Sequence, residues 1–123
     1  MKNLNIKETK YTPEITLNTN GTIALKGKSY PENTFEFYSP MMEWIKTYFT
    51  ENASHKTTVN IEITYFNSSS SKLFFDLFDL FEENNNGITI NWIYDEENES
   101  ALEAGEDFIE DFEELKINLV VKK

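Results

Sequence analysis

The segment that decides the fold runs from a strand through a turn into a helix. The strand alternates in polarity, Thr57-Thr58-Val59-Asn60-Ile61-Glu62-Ile63-Thr64-Tyr65. The turn and the helix start follow, Phe66-Asn67-Ser68-Ser69-Ser70-Ser71-Lys72-Leu73-Phe74. A period of two is typical of a strand, and apolar residues every three to four positions are typical of a helix. The pattern predicts a helix from about Ser69 to Asn85, stopped by Asn84-Asn85-Asn86-Gly87, and then a strand with Ile88, Ile90, Trp92 and Tyr94.

The residues nearest the N-terminus predict β-structure. Alternating apolar residues flank Asn18-Thr19-Asn20-Gly21 on both sides, which is a hairpin signal. Gly21 or Asn20 can supply the positive φ that such a turn needs. We expect Gly27 to end the second strand of the hairpin, and Leu4 to Glu8 to form a further strand.

A helix is predicted between this hairpin and the strand at Thr57. Its apolar residues recur at helical spacing, Phe35, Tyr38, Met41, Met42, Ile45, Tyr48 and Phe49. Asn33 is a candidate N-cap. Pro40 lies inside this pattern, where a proline removes a backbone hydrogen bond. We therefore expect a short opening turn and then a main helix capped by Ser39, with Pro40 in its first turn.

The last third of the chain predicts a turn, a helix and a strand. Asn98 is the candidate cap of an acidic helix, and Ile117, Leu119 and Val121 alternate in a final strand. The order is then β-β-β-α-β-α-β-α-β. It predicts an α/β fold in which helices pack across a single-layer mixed sheet. We expect one domain over residues 1–123.

The charge of the chain is acidic and uneven. The formal net charge is −11, from 22 acidic and 11 basic residues. Residues 1–72 carry eight lysines and seven acids, whereas residues 73–123 carry three lysines and fifteen acids. Such a surface repels phosphate backbones and anionic lipids, so we expect no nucleic-acid binding and no membrane insertion. No apolar run approaches a membrane span, and the N-terminus lacks a signal-peptide pattern, which favours the cytoplasm.

The sequence offers no active site and no cofactor motif. There is no cysteine for thiol chemistry and no P-loop pattern. His55, the single histidine, lies in a polar loop where we expect it to face solvent. The acidic run from Asp95 to Glu99 lacks EF-hand spacing, which favours a solvated turn over a calcium site or a metal-dependent enzyme. We expect a non-enzymatic protein without a cofactor.

Four serines at the start of the central helix are the most informative functional feature. A helix N-terminus has free N–H groups and a partial positive charge, both of which favour a phosphate. One of the residues Ser68 to Ser71 can accept a phosphoryl group, and Lys72 can pair with it. A serine can instead cap the helix, because serine is a favoured N-cap. The residues alone leave both roles open.

The same helix carries a wide apolar arc and one aromatic residue outside it. The arc consists of two stripes, Leu73, Leu77 and Leu80 beside Phe74, Phe78 and Phe81. A width of about 160° predicts packing against both the sheet and a neighbouring helix. Phe75 lies outside the arc, between Asp79 and Glu82, so we expect it to be an exposed anchor for a protein partner.

Two motifs carry a family resemblance. Ser29-Tyr30-Pro31-Glu32-Asn33 precedes an aromatic helix with Trp44, and Tyr65-Phe66-Asn67-Ser68-Ser69-Ser70-Ser71-Lys72 follows it. With Trp92, Tyr94, Asp95 and the acidic helix after them, these motifs resemble the SiaC family of bacterial regulatory phosphoproteins over nearly the whole chain. The resemblance implies a STAS-like fold, related to that of anti-sigma-factor antagonists. We expect partner contacts from Tyr30, Glu32, Asn33 and Tyr65, beside Phe75.

The resemblance also implies how the chain is regulated. Ser68 directly follows the asparagine of its motif and is the implied acceptor, at a position where a threonine is familiar. Its expected surroundings are Asn67, Ser69, Ser70, Ser71 and Lys72. The implied partners are a histidine-kinase-like Ser/Thr kinase, a PP2C-type phosphatase and a downstream protein, typically a diguanylate cyclase that affects cyclic-di-GMP and biofilm formation. The unphosphorylated form is implied to bind, and a phosphate adds about two negative charges, so we expect phosphorylation to switch binding off.

Two other functions stay open at this point. An anti-sigma factor in place of the cyclase would keep the switch and change the partner. A structural interaction domain, in which the serines act only as caps, would have no switch.

Overall fold

Within its described residues, 1–52 and 56–123, the chain forms six strands and three helices in the computed structural model. The elements are β1 (Leu4–Ile6), β2 (Glu14–Asn18), β3 (Thr22–Ser29), α1 (Thr34–Glu51), β4 (Thr57–Phe66), α2 (Ser68–Glu83), β5 (Ile88–Asp95), α3 (Glu99–Asp111) and β6 (Lys116–Lys122). The predicted order β-β-β-α-β-α-β-α-β is confirmed. The expected exposed position of His55 lies outside the described residues.

The six strands form one mixed sheet in the order β1-β2-β3-β4-β5-β6. β1, β2 and β3 pair antiparallel, whereas β3 to β6 are parallel. Each parallel step crosses over through one helix, and right-handed crossovers bring the three helices to the same face. Burial agrees with this arrangement, because Val59, Ile61 and Ile63 of β4 are buried and the residues between them are more exposed. The sheet therefore has one covered face and one open face.

The hairpin between β2 and β3 forms where it is predicted. Asn18 pairs with Thr22 across the loop, and the N–H of Gly21 donates to the carbonyl of Asn18 at 3.0 Å. The φ angle of Gly21 is 102°, a conformation that residues with a Cβ rarely adopt. Gly21, rather than Asn20, therefore supplies the positive φ.

Gly27 does not end β3, contrary to the sequence prediction. The strand continues to Ser29, and its register with β4 skips a residue, because Gly27 pairs with Ile63 and Lys28 pairs with Tyr65. The φ angle of 134° at Gly27 accommodates a β-bulge instead of a turn. Beyond the bulge Ser29 is fully buried, whereas Tyr65 is 55% exposed.

The prediction of Ser39 as a helix cap is wrong, because α1 is one continuous helix. It begins at Thr34, and the Oδ1 of Asn33 caps it by accepting the N–H of Glu36 at 3.0 Å. Pro40 lies inside the helix, where a proline costs about 3 kcal/mol. The buried face of α1 consists of Tyr38, Met41, Ile45, Tyr48 and Phe49. Each such side chain contributes about 1.5–3 kcal/mol on burial, so packing outweighs the cost of the proline.

The central helix α2 and the last helix α3 complete the core. Both predicted stripes of α2, from Leu73 to Phe81, are buried, which confirms the wide packing arc. Gly105 lets α3 approach the sheet closely, since a Cβ there would lie 2.6 Å from the Trp92 ring and 2.7 Å from Leu119. The indole N–H of Trp92 donates to the carbonyl of Ala101 at 2.8 Å and fixes this approach.

Candidate functional site

The N-termini of the three helices lie at the carboxyl ends of the parallel strands, because each helix follows one of the strands β3, β4 and β5. Each N-terminus is capped by an asparagine whose Oδ1 accepts the N–H three residues later. The pairs are Asn33 with Glu36 at 3.0 Å, Asn67 with Ser70 at 2.9 Å and Asn98 with Ala101 at 3.1 Å. The turn expected between Asp95 and Glu99 thus ends in its predicted cap, Asn98.

Asn67, and not a serine, caps the central helix, so the serine-cap alternative is wrong. The carbonyl of Asn67 accepts the N–H of Ser71 at 3.0 Å, and its own N–H donates to the carbonyl of Ser29 at 3.1 Å. The first turn of α2 contains no acidic residue, whereas α1 has Glu36 and α3 has Glu99 there. The partial positive charge at the start of α2 is therefore not offset within its own first turn.

Ser70 belongs to a buried chain of three hydroxyl groups. Its Oγ lies 2.7 Å from the Oγ of Ser29, which lies 2.6 Å from the hydroxyl of Tyr38. All three side chains are fully buried. Burial raises the pKa of Tyr38 to about 12, although the hydrogen bond with Ser29 opposes part of this shift. Ser70 is thus committed to the interior and closed to a modifying enzyme.

The other three serines remain accessible to different degrees. Ser68 and Ser69 are exposed, and Ser71 is half-buried. Ser68 is the first residue of α2, and Lys72 follows it by one helical turn. The N–H of Ser70 donates to Asn67, but the N–H groups of Ser68 and Ser69 have no acceptor within the helix and can face an anion attached at Ser68. Of the four serines, Ser68 combines exposure with the helix end.

A groove between α2 and α3 runs away from Ser68. Its volume is about 640 Å³. The α2 wall contains Ser68, Ser71, Lys72, Phe75 and Asp76, and the α3 wall contains Ser100, Glu103, Ala104, Asp107 and Asp111. Phe66 and Phe108 also line the groove. The predicted acceptor and the predicted aromatic anchor therefore share one surface.

Phe75 is exposed as predicted, and it also has a neighbour. The side chain is 42% exposed, and its ring centroid lies 4.9 Å from that of the buried Phe112. Phe112 therefore packs against the ring of Phe75, and the exposed part of the Phe75 ring lines the groove. A supported, half-exposed aromatic ring is suited to anchoring a partner.

Glu32 and Asn33 lie in a second groove, between the starts of α1 and α2. This groove has a volume of about 390 Å³ and also contains Phe35, Ser69 and Lys72. Phe35 is 80% exposed, although it continues the apolar spacing from which α1 is predicted. It lies in the first turn of α1 and lines the groove instead of packing into the core. A large apolar residue between the cap Asn33 and Glu36, in the first turn of the helix, is the signal that sequence reasoning missed.

Tyr30 and Tyr65 lie in an aromatic cluster with Tyr11. The ring centroids of Tyr11 and Tyr30 are 5.2 Å apart, and those of Tyr30 and Tyr65 are 5.5 Å apart, both edge to face. Tyr11 and Tyr65 are each more than half exposed. The predicted partner residues therefore divide among the two grooves and this cluster, and Tyr11 was not predicted.

Neither metal binding nor a membrane span finds support in the part of the chain that the structure describes. Across residues 1–52 and 56–123 no group of three or more His, Cys, Asp or Glu side chains is close enough to hold a metal ion. Over the same ranges no helix is both long and apolar enough to cross a bilayer. In the acidic run, the Oδ1 of Asp95 accepts the N–H of Glu97 at 2.9 Å, as in an ordinary turn.

Comparison with known proteins decides the family. A model described as SiaC family regulatory phosphoprotein matches residues 6–122. The chain belongs to the SiaC family. An uncharacterised protein of Pseudomonas aeruginosa (strain UCBPP-PA14) is 33% identical over 115 residues, which cover 90% of each chain. The resemblance inferred from the two sequence motifs is thus confirmed, and the family to which the chain belongs is one of regulatory phosphoproteins.

Solved structures of the family share the whole fold. A chain in the crystal structure of the diguanylate cyclase SiaD in complex with its activator SiaC, from Pseudomonas aeruginosa, has a TM-score of 0.91 and 28% identity, over 97% of this chain and 99% of that one. Apo-SiaC from the same organism has a TM-score of 0.87 and 28% identity over the full length of both chains. The predicted α/β fold is therefore that of the SiaC family.

Proposed function

We propose that this chain is a cytoplasmic, single-domain binding protein that phosphorylation of Ser68 switches off. The unphosphorylated form binds and controls a downstream protein, a diguanylate cyclase in our proposal, and so acts on cyclic-di-GMP signalling and biofilm formation. A histidine-kinase-like Ser/Thr kinase adds the phosphate, and a PP2C-type phosphatase removes it. Support for the cyclase comes from the family relative that forms a complex with one.

The single observation that carries the proposal is the contrast between Ser68 and Ser70. Ser68 is exposed at the start of α2 and lines the groove that contains Phe75, whereas Ser70 is fully buried and hydrogen-bonded to Ser29. A kinase reaches the first and not the second. The N–H groups at the helix start and Lys72 favour a phosphate at this position.

The sign of the switch follows from charge. A phosphate adds about 1.5–2 negative charges. The groove beside Ser68 already contains four carboxylates, Asp76, Glu103, Asp107 and Asp111, against the ammonium group of Lys72. A phosphorylated groove presents a charged group that a partner must desolvate, and it repels any acidic group of that partner. We therefore expect binding to weaken.

Phosphopeptide mapping tests the acceptor. After incubation with ATP and the cognate kinase, intact mass should show one added phosphate, located on Ser68. Ser68→Ala should abolish it, and the matched exposed variant Ser69→Ala should not. A phosphate spread over Ser69 and Ser71, or retained in Ser68→Ala, would refute Ser68 as the acceptor.

A binding measurement tests the partner. Biolayer interferometry with the diguanylate cyclase of the source organism should detect binding of the unphosphorylated chain and no binding of the phosphorylated chain. Any change that the chain causes in cyclic-di-GMP synthesis should be lost together with the binding. An anti-sigma factor that binds in place of the cyclase would keep the switch and replace the partner. Equal binding of the phosphorylated and unphosphorylated forms would refute the proposed switch.

A further inference from the structure

β6 forms a free edge of the sheet, and its side chains are apolar although they are exposed. It pairs with β5 on one side, and within the described residues the order β1-β2-β3-β4-β5-β6 gives it no neighbour on the other. Over residues 1–52 and 56–123 the exposed isoleucine, leucine and valine side chains all belong to α3 or β6, namely Ile109, Leu119, Val120 and Val121. The outward N–H and C=O groups of an edge strand can pair with a further strand. The edge therefore offers a partner both hydrogen bonds and apolar area.

The opposite edge of the sheet is much shorter. β1 contains three residues, Leu4–Ile6, whereas β6 contains seven, Lys116–Lys122. The indole N–H of Trp44 also donates to the carbonyl of Lys2 at 2.8 Å, which holds the segment before β1 against α1. β6 is therefore the edge at which an added strand gains the most hydrogen bonds.

The outer side of α3 extends the apolar surface of this edge. Gly105 faces the sheet, where a Cβ would lie 2.7 Å from Leu119. At about 100° per residue, Leu102 and Ile109 lie within about 60° of Gly105 on the side away from the α2–α3 groove. Because α2 lies beyond that groove, this is the side of α3 nearer the free edge. Val121 shares the sheet face of Leu119, so the helix and the strand present apolar side chains together.

The charged residues at the two ends of β6 have opposite signs. Glu113 and Glu114 lie in the turn before the strand, Lys122 and Lys123 lie at its end, and all four are exposed. Lys122 also pairs with Glu62 of its own sheet at 2.8 Å, yet about half of its side chain stays exposed. An antiparallel second copy brings the acidic turn of one chain beside the basic end of the other. Charge complementarity therefore favours a second copy of this chain as the partner.

Charge also selects the register of the two strands. With Asn118 at the two-fold axis, residues equally distant from it in the two strands lie opposite each other. Lys122 then lies opposite Glu114 of the other copy, and Lys123 opposite Glu113. The two-fold axis repeats each pair, so four pairs of opposite charge flank the joint. Opposite charges that face each other across strands stabilise the pairing.

Other registers are less favourable. With Leu119 at the axis, Lys116 lies opposite Lys122 of the other copy, and like charges that face each other destabilise a pair of strands. With Val120 at the axis, Lys122 lies opposite the uncharged Asn118. Lysines on an edge strand commonly oppose pairing. Here they oppose one register and leave the one centred on Asn118, in which Lys116 lies opposite Val120.

Asn118 also ends a row of hydrogen-bonded amides on the open face of the sheet. Its Nδ2 donates to the Oδ1 of Asn91 at 3.1 Å, and the Nδ2 of Asn91 donates to the Oδ1 of Asn60 at 2.8 Å. An amide has two N–H groups and a carbonyl oxygen, so within the part of the chain that the structure describes Asn118 keeps an N–H and its Oδ1 for a further partner. At a two-fold axis the two Asn118 side chains can hydrogen-bond to each other, which continues the row from one sheet into the next.

We infer that two copies of this chain pair through β6, antiparallel and with Asn118 at the two-fold axis, so that their sheets form one continuous sheet. The outer sides of the two α3 helices, with Leu102 and Ile109, meet over the joint. The α2–α3 groove and Ser68 lie on the other side of α3 and stay open in this dimer. The dimer is therefore independent of the proposed phosphorylation switch and presents two copies of it.

Disulfide trapping tests the register, because the chain contains no cysteine. Asn118→Cys places two thiols opposite each other at the axis, with about 4.5–5.5 Å between their Cβ atoms. Val120→Cys is the matched control, exposed and on the same face of β6, and its two thiols would lie about 13 Å apart. Under mild oxidation with copper phenanthroline, Asn118→Cys should form a crosslinked dimer at least about tenfold faster than the control. Equal rates, or a faster reaction of Val120→Cys, would overturn the inference.

Sedimentation velocity of the full, unphosphorylated chain tests the charge pairs. At about 0.15 M salt, where repulsion between two net charges of −11 is screened beyond about 8 Å, a concentration-dependent shift to twice the mass of one chain is expected. Glu113→Lys with Glu114→Lys sets lysine opposite lysine and should weaken the dimer by about tenfold, although it makes the chain less acidic. Adding Lys122→Glu and Lys123→Glu to that variant restores opposite charges and should restore the dimer.

A matched double variant separates the joint from the net charge. Glu43→Lys with Glu51→Lys changes the net charge by the same amount at exposed positions of α1, which packs against β2, and it should not weaken the dimer. Equal weakening in the two double variants, or no recovery in the fourfold variant, would overturn the charge pairs and the inference with them. A chain that stays monomeric up to about 1 mM would do the same.

Discussion

Two serines within one turn of α2 have opposite environments. Ser70 is fully buried in a hydroxyl chain with Ser29 and Tyr38, whereas Ser68 is exposed and lines a groove. They are two residues apart, which places them about 200° apart around the helix axis. Identical side chains in one run therefore take a structural role on one side and an accessible position on the other, and the packing of the helix alone assigns them.

The largest expected effect tests this contrast directly. Ser70→Asp buries a carboxylate among hydroxyl groups and apolar rings, and should lower the free energy of unfolding by about 3 kcal/mol or more. Ser68→Asp, exposed and at a helix start, should change it by less than about 0.5 kcal/mol. Urea denaturation followed by circular dichroism measures both. Similar losses in the two variants would contradict the assignment of inside and outside.

The second prediction uses the pKa of Tyr38. Its folded pKa is about 12, against about 10 for an unfolded tyrosine. Between these values the unfolded state releases a proton that the folded state keeps, so this contribution to stability is complete below pH 10 and is lost as the pH rises towards 12. Its full size is about 2–3 kcal/mol.

Comparison with Tyr38→Phe isolates that contribution. At neutral pH the variant should lose about 1 kcal/mol through the missing hydrogen bond. Urea titrations from pH 8 to pH 11 should show a shallower decline of its stability than in the unmodified chain. Tyr65→Phe, at an exposed tyrosine, serves as the control. Equal declines of stability in the unmodified protein and in Tyr38→Phe would show that the hydroxyl of Tyr38 does not belong to the buried chain of hydroxyl groups.

The asparagine cap at the start of α2 gives a smaller effect. Asn67→Ala removes the acceptor of the Ser70 N–H and should cost about 1 kcal/mol. Hydrogen exchange should become faster in the first turn of α2 and stay unchanged in α1. Asn33→Ala provides the reciprocal control, with faster exchange confined to α1. Uniform acceleration over both helices would mean that the caps act on the whole fold and not on single turns.

A comparably small effect on stability is expected at Phe75. Phe75→Ala removes the contact with Phe112. Because the ring of Phe75 is already 42% exposed, the free energy of unfolding should fall by only about 1 kcal/mol. Binding of the downstream partner should weaken by about tenfold. Thermal melts and biolayer interferometry measure the two quantities. Loss of folding would make Phe75 a core residue.

Local patterns were enough to predict much of the architecture. The apolar periods of α2 and β4 gave their type, and Asn33 and Asn98 were identified as caps from their position before helical patterns. The failures were also local. Pro40 was read as a helix start because the energy of the buried α1 face is not visible in the propensity of one residue, and Gly27 was read as a stop because a bulge depends on the opposite strand.

The candidate site was predicted in part. The motifs led to Ser68, and the helical wheel led to the exposed Phe75. Phe35 continues the apolar stripe of α1, yet its ring is 80% exposed and lines the groove between α1 and α2. Tyr11 was not recognised, because its contact with Tyr30 joins segments that no sequence period relates.

By itself, the sequence determined the order of strands and helices, the acidic charge of the last two-fifths of the chain and the serine run at a helix start. These properties depend on neighbours within one or two turns, so they can be read along the chain. Only the tertiary structure decided that Ser70 lies inside and that Ser68 shares a groove with α3. The reason is distance in sequence, because the hydrogen bond that commits Ser70 comes from Ser29, 41 positions earlier.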